Sequence, residues 1–207
     1  MKPHPFSVVL ALVLALAGAG RPVLADEKDA PPSPPQLKQA QEEAKKARQE
    51  KTGSIKQKMR YFESHVGEWI GTETYEIAGL GQKETSKDEW KGFYSLDGTH
   101  FEMHGRSEGD DGVTTYKWIC TYDLEQEQYV AWYFDSDGSQ DTFTMDWNEE
   151  KKTLIWTSED EDQDRASEFY MKVEGNEITG KGEISRASDG ETLINTSLKY
   201  KKKRISV

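Results

Sequence analysis

The chain has 207 residues, with 27 Lys or Arg against 38 Asp or Glu, a formal charge of −11 and a single cysteine. So acidic a chain disfavours nucleic acid and anionic lipid surfaces as partners. One cysteine excludes an internal disulfide, so ordinary packing must hold any fold, and Cys120 reads as a small buried apolar residue in a strand.

Residues 1–25 carry the marks of a secretory signal peptide. Lys2 supplies a positive start, an apolar run follows from Phe6 to Gly18, and Val23-Leu24-Ala25 is a peptidase site, so the mature chain is expected to begin at Asp26. The run is shorter than the roughly 20 residues needed to span hydrocarbon. The expected location is therefore exported, periplasmic or extracellular, with no stable membrane insertion after cleavage. Losing Lys2 and Arg21 leaves 25 basic against 38 acidic residues, a net charge of −13.

Residues 26–53 form a second region. DEKDAPPSPP is charged and proline-rich, an extended solvated linker. The following QLKQAQEEAKKARQEK is rich in helix formers, with Leu37, Ala40, Ala44 and Ala47 on one stripe. It reads as a helical arm; its Ala-rich seam over residues 36–51 supports only weak self-association.

A separate helix is expected over Ser54–His65, divided from the arm by Gly53. Ser54 and Gln57 have capping-box spacing, and Ile55, Met59, Phe62 and Val66 form one apolar stripe. Gly67 follows at the position past a helix end where positive φ is common. From residue 68 onward the pattern changes to strands near 68–77, 83–94, 99–107, 113–122, 128–135, 140–147, 153–158, 166–173, 177–185 and 192–201. Turn chemistry separates them, as at Asp97-Gly98, Asp137-Gly138, Gly175-Asn176 and Asp189-Gly190. The expected fold is all-β: residues 54–207 close into an antiparallel up-and-down barrel of about ten strands, because an open sheet that long would expose its edges.

Tyr116, Trp118, Cys120 and Tyr122 share one face of their strand, as do Trp132 with Phe134, and Phe143 with Met145 and Trp147. A ten-stranded barrel is wider than the eight-stranded kind that just fills itself or holds one small ligand. Phe101, Met103, Trp118, Trp132, Phe134, Phe143 and Met145 are therefore the candidate lining of an internal cavity. Each taken singly also reads as packed core.

Gly67-Glu68-Trp69 resembles the Gly-x-Trp signature on the first strand of lipocalins and other calycins. The resemblance implies that a helical turn closes one barrel end, that Trp69 packs at the base, and that a basic residue late in the last strand lies across it: Lys199, Lys201, Lys202, Lys203 or Arg204. Over residues 60–202, SLDGTHFEM, TYDLEQEQYVAWYFDSDGS and WNEEKKTLIWTSE resemble the landmarks of an uncharacterised bacterial family of lipocalin-like domains. That family is number fifteen-seventy-nine in the domain-of-unknown-function series. Its pattern falls on Gly67 and Trp69, Leu96–Gly98, Tyr122 and Asp123, Tyr129–Trp132 with one residue fewer than the pattern has, and Asp135–Gly138. It implies a fold and no activity.

Cofactor signals are weak. Nitrobindin-like calycins hold haem through a late histidine, whereas the last histidine here is His104. His100 and His104 lie on one strand face about 13 Å apart, too far to share one metal. DSDGSQD at 135–141 offers carboxylates, but its glycine is fourth where an EF-hand loop needs it sixth, so it and EDEDQD at 159–164 read as solvated hairpin tips. No cofactor and no metal ligand is expected. Glu73, Glu102, His104 and Arg106 could face inward together, but no motif marks them as catalytic.

The leading expectation is a barrel that binds a small, largely apolar molecule in its interior. The alternatives are an envelope interaction module without a ligand and, third, a lipocalin-like enzyme.

Overall fold

In a computed structural model, the structure describes residues 34–148, 150, 153–160 and 163–203. The expected signal peptide, most of the linker and Arg204 lie outside the described residues. The chain divides into two units, one ending at Ala44 and one starting at Lys45. The described part of the first is the exposed beginning of helix α1 (Pro34–Met59), where Gln39 Nε2 donates to Glu43 Oε1 at 2.8 Å.

The expected break at Gly53 is absent: α1 runs through it. A single glycine costs a helix only about 1 kcal/mol, which strong formers on both sides offset. Ser54 does not cap a new helix; its Oγ donates back to the carbonyl of Glu50 at 3.1 Å, the bond of a mid-helix serine. After Met59 the chain tightens into a 3-10 helix over Arg60–His65, and Val66 turns it into extended backbone.

Ten strands follow: β1 (Gly67–Ile77), β2 (Lys83–Ser95), β3 (His100–Gly109), β4 (Gly112–Asp123), β5 (Gln128–Asp135), β6 (Gln140–Asn148), β7 (Thr153–Asp160), β8 (Arg165–Glu174), β9 (Glu177–Arg186) and β10 (Thr192–Lys202). Each pairs with the next, antiparallel, and β1 pairs with β10 from Trp69↔Lys202 to Ile77↔Ile194. The sheet is a closed ten-stranded barrel, which leaves no free edge.

One end is plugged by the segment leading into β1. Met59 and Phe62 are buried, and the Phe62 ring stacks on Phe101 with centroids 4.9 Å apart. The hydroxyls of Tyr94 and Tyr129 donate to the carbonyls of Met59 (2.8 Å) and Lys58 (2.9 Å), so two strand tyrosines tie down the end of α1. Trp69 is buried at the base and its Nε1 donates to the His65 carbonyl at 3.0 Å. Among the basic residues offered for Trp69, Lys202 lies across its ring, Nζ 5.3 Å from the centroid, a contact worth about 1 kcal/mol.

Candidate ligand-binding site

Strand alternation carries the site. On β1, the parity that buries Trp69 also turns Gly71, Glu73 and Tyr75 to the interior; on β2 it turns Ser86, Asp88 and Trp90 inward. The end opposite the plug is open, and below it lies a cavity of about 640 Å³. Met103, Trp118, Phe143, Trp156, Phe169 and Met171 form its apolar wall, and Glu73, Tyr75, Ser86, Tyr116 and Tyr200 form a polar one.

The expected lining residues divide into three groups. Met103, Trp118 and Phe143 line the cavity. Phe101 and Met145 point inward but are packed in the cluster around Met59 and Phe62, where the plug leaves no space. Trp132 and Phe134 are corrections: Ala131 and Tyr133 take the inward positions of β5, so these two face out, where they border a shallow hollow with Gln140 and Thr142. The four charged residues that alternation could have turned inward together are not brought together. Only Glu73 turns in; Glu102, His104 and Arg106 sit on the outer face, where Glu102 contacts His104 Nε2 at 2.9 Å and Lys117 Nζ at 2.7 Å. Those partners, Lys117 first, hold the Glu102 carboxyl at about 2.

Behind the polar wall lies Asp88, which is only 4% exposed and was not singled out by sequence. Two tyrosines reach it from opposite sides across glycines. Gly71 lies between Tyr200 of β10 and Asp88 of β2 in register, and a Cβ there would come within 2.6 Å of the Tyr200 ring. Gly105 of β3 faces Tyr116 of β4, and a Cβ there would come within 2.1 Å of that ring. With no side chain in the way, each ring lies across a neighbouring strand. Tyr116 Oη donates to Asp88, 2.9 Å from both oxygens, and Tyr200 Oη lies 2.5 Å from Asp88 Oδ2 and 2.5 Å from Glu73 Oε1. Tyr75 Oη donates to the other Glu73 oxygen.

Electrostatics follow from burial. Desolvation, then the Glu73 charge, raises Asp88 to about 7, against which the tyrosine hydrogen bonds act only partly. Burial first, then the neighbouring carboxylates, pushes the Tyr116 and Tyr200 hydroxyls well above the ordinary tyrosine range, so both remain donors. Proton counting agrees. Tyr200 has one O–H but contacts two carboxyl groups, so one of the two contacts needs the proton that Asp88 keeps.

Three polar atoms on the cavity wall have no protein partner: Ser86 Oγ, Thr196 Oγ1 and Trp156 Nε1. Ser86 is 6% exposed and sits beside Glu73 across the β1–β2 ladder; Trp156 is 5% exposed, on the opposite wall. Among the described residues no group of three or more His, Cys, Asp or Glu side chains is gathered to hold a metal ion. In the 135–141 loop, Asp135 Oδ1 instead accepts from the backbone N–H of Asp137 (3.0 Å) and Ser139 (2.9 Å). Among the described residues no helix is long and apolar enough to cross a membrane.

No family model and no curated protein matches the chain. Solved structures do. An S-type phycobiliprotein lyase from Guillardia theta is similar at 13% identity with a TM-score of 0.52, over 71% of this chain and 93% of that one. A protein of unknown function of the DUF3598 family from Nostoc punctiforme matches at 9% identity and 0.45, over 69% of this chain and 49% of that one. Fatty-acid-binding protein 1 of Echinococcus granulosus matches at 16% and 0.40, over 69% and 99%. At such identities the likeness to the lyase speaks for the barrel fold alone.

Proposed function

We propose that the protein is an exported small-molecule-binding barrel that takes a molecule with a substantial apolar part through its open end. The observation that carries the reading is the cavity of about 640 Å³, walled on one side by Trp118, Phe143, Trp156 and Phe169 and closed below by the plug. It falls within the size range of small-molecule sites, and its mixture of a broad apolar wall with a few placed polar groups is typical of them. Export rests on residues 1–25, and kinship with the lipocalin-like family named above rests on its turn and strand landmarks.

Tryptophan fluorescence tests it. Trp118 and Trp156 line the cavity, so a panel of fatty acids, isoprenoid alcohols and haem contains at least one compound that quenches saturably. Absence of any saturable response across the panel, together with a filled interior in a crystal structure, contradicts the reading.

A second reading, acid–base catalysis on the bound molecule, is favoured by the raised Asp88 carboxyl. Asp88 is screened from the cavity by Tyr116 and Tyr200, which places two hydroxyls between it and any ligand. Turnover of a bound compound by the native protein, lost in Asp88→Asn, would favour catalysis over binding.

A further inference from the structure

The two walls of the cavity are chemically unlike, and the charged side chains that line it are acidic with one exception. Glu73 stands at mid-depth, and Glu84, Asp111, Asp135, Asp137 and Asp141 border the space above it. Among the described residues lining the cavity Arg165 is the sole Lys or Arg, and it lies 3.4 Å from Asp141. A low-dielectric pocket with charge of one sign concentrates the opposite sign and repels its own, so a carboxylate-headed lipid would enter against the field.

Near Glu73 are two hydroxyls with no protein partner. Ser86 Oγ is its neighbour across the β1–β2 ladder, and Thr196 Oγ1 lies on β10, opposite Tyr75 across the β1–β10 ladder. Tyr75 and Tyr200 already supply hydroxyl donors to Glu73. What the site lacks is a group with several N–H donors and positive charge. An ammonium has three donors and no acceptor, and Glu73 and Ser86, direct neighbours across the β1–β2 ladder, both offer acceptors to it. A buried cation needs both charge compensation and filled hydrogen bonds, and these residues supply both.

Resting on the reading of the barrel as a small-molecule binder, we propose that its ligand is an amphipathic amine. Its ammonium group sits against Glu73 and Ser86, and its aliphatic or aromatic body lies along Trp118, Phe143 and Trp156. Asp88 does not line the cavity; it holds Tyr116 and Tyr200 in place and acts as a positioning residue behind Glu73. Trp156 Nε1, a donor without an acceptor on the far wall, adds that the body carries an oxygen or nitrogen acceptor of its own.

The test is a matched series, octylamine, 1-octanol and octanoate, titrated calorimetrically into the full chain at pH 8. The expected order is amine, then alcohol, then carboxylate, with the amine roughly tenfold or more ahead of the alcohol, the gain of a charge-assisted hydrogen bond. Glu73→Gln brings the amine down to the alcohol and leaves the alcohol unchanged, which also shows that the variant is folded. If the native protein binds octanol or octanoate as tightly as octylamine, the amine assignment fails while the binding reading stands. Binding of none of the three overturns both. Because the native series decides alone, a Glu73→Gln protein that fails to fold does not leave the assignment open.

Discussion

The two ends of the barrel solve opposite problems with the same strands. At the plugged end, Met59, Phe62, Phe101 and Met145 pack without space, and the tyrosine hydroxyls of Tyr94 and Tyr129 are spent on carbonyls of α1. Toward the open end, glycines replace bulk at Gly71 and Gly105, and the tyrosine hydroxyls of Tyr116 and Tyr200 are turned on the buried Asp88 carboxyl. The difference shows in each end's titratable group. His65 at the plug is 4% exposed and is lowered to about 4 by burial and then by Lys202, so it is a neutral ring. Asp88 is raised to about 7, a carboxyl kept protonated well into the neutral range. One end is built for stability, and the other holds a poorly solvated carboxyl with a shifted titration, the arrangement of a site.

The largest expected effect breaks the plug. Phe62→Ala removes a ring that stacks on Phe101 and is 1% exposed, and should cost about 3–5 kcal/mol, read as a fall in Tm and in the urea midpoint. Next is Asp88→Asn. Between about pH 4 and 7 the unfolded chain has lost the Asp88 proton while the folded chain keeps it, so this residue makes stability fall as pH rises through that window. The variant should therefore gain about 2–4 kcal/mol over the native protein at pH 8 and little at pH 4, measured by urea unfolding across pH. The neighbours that face Asp88, namely Glu73, Tyr116 and Tyr200, remain in place in that comparison.

His65 has the opposite sign. Below its ordinary value of 6.5 the unfolded chain takes up a proton that the buried ring refuses until about 4, so its contribution is complete above pH 6.5 and is lost as pH falls toward 4. His65→Leu should flatten the acid side of the stability profile by about 2–3 kcal/mol at pH 4 and leave pH 8 nearly unchanged. The groups facing His65 are Ser64, whose Oγ lies 3.2 Å from Nδ1, and Lys202; Phe62 and Phe101 supply the apolar contacts. The smallest effect is Lys202→Met, expected to cost about 1 kcal/mol as its ammonium leaves the Trp69 ring, with the methionine retaining the apolar stem.

Strand positions were legible because period-two alternation and Gly or Asp turns agree along the whole region after Gly67. Helix limits were less so, since one glycine is a weak breaker when Glu50 and Lys51 on one side and Lys56 and Gln57 on the other favour the helix. The lining was half legible. β5 carries large residues on both faces, Tyr129 and Tyr133 inward against Trp132 and Phe134 outward, so hydrophobicity does not say which set is inside. The carboxylate centre was hidden for a different reason. Asp88 sits in KDEWK and Tyr200 in KYKKK, segments that read as solvent faces, and the two meet only because barrel closure sets β10 beside β1. A usable signal existed: once Trp69 is taken as inward, parity makes Glu73 and Tyr75 inward too, and Trp90 does the same for Asp88 and Ser86.

The most direct measurement is a crystal structure of the protein grown with 8-bromo-1-octanol, whose bromine is located by its anomalous signal. A hollow, ligand-receiving interior predicts the bromine inside the barrel, among Trp118, Phe143 and Trp156. Bromine found only on the outer face beside Trp132 and Phe134, or an interior closed by side chains with no bromine in it, would contradict it.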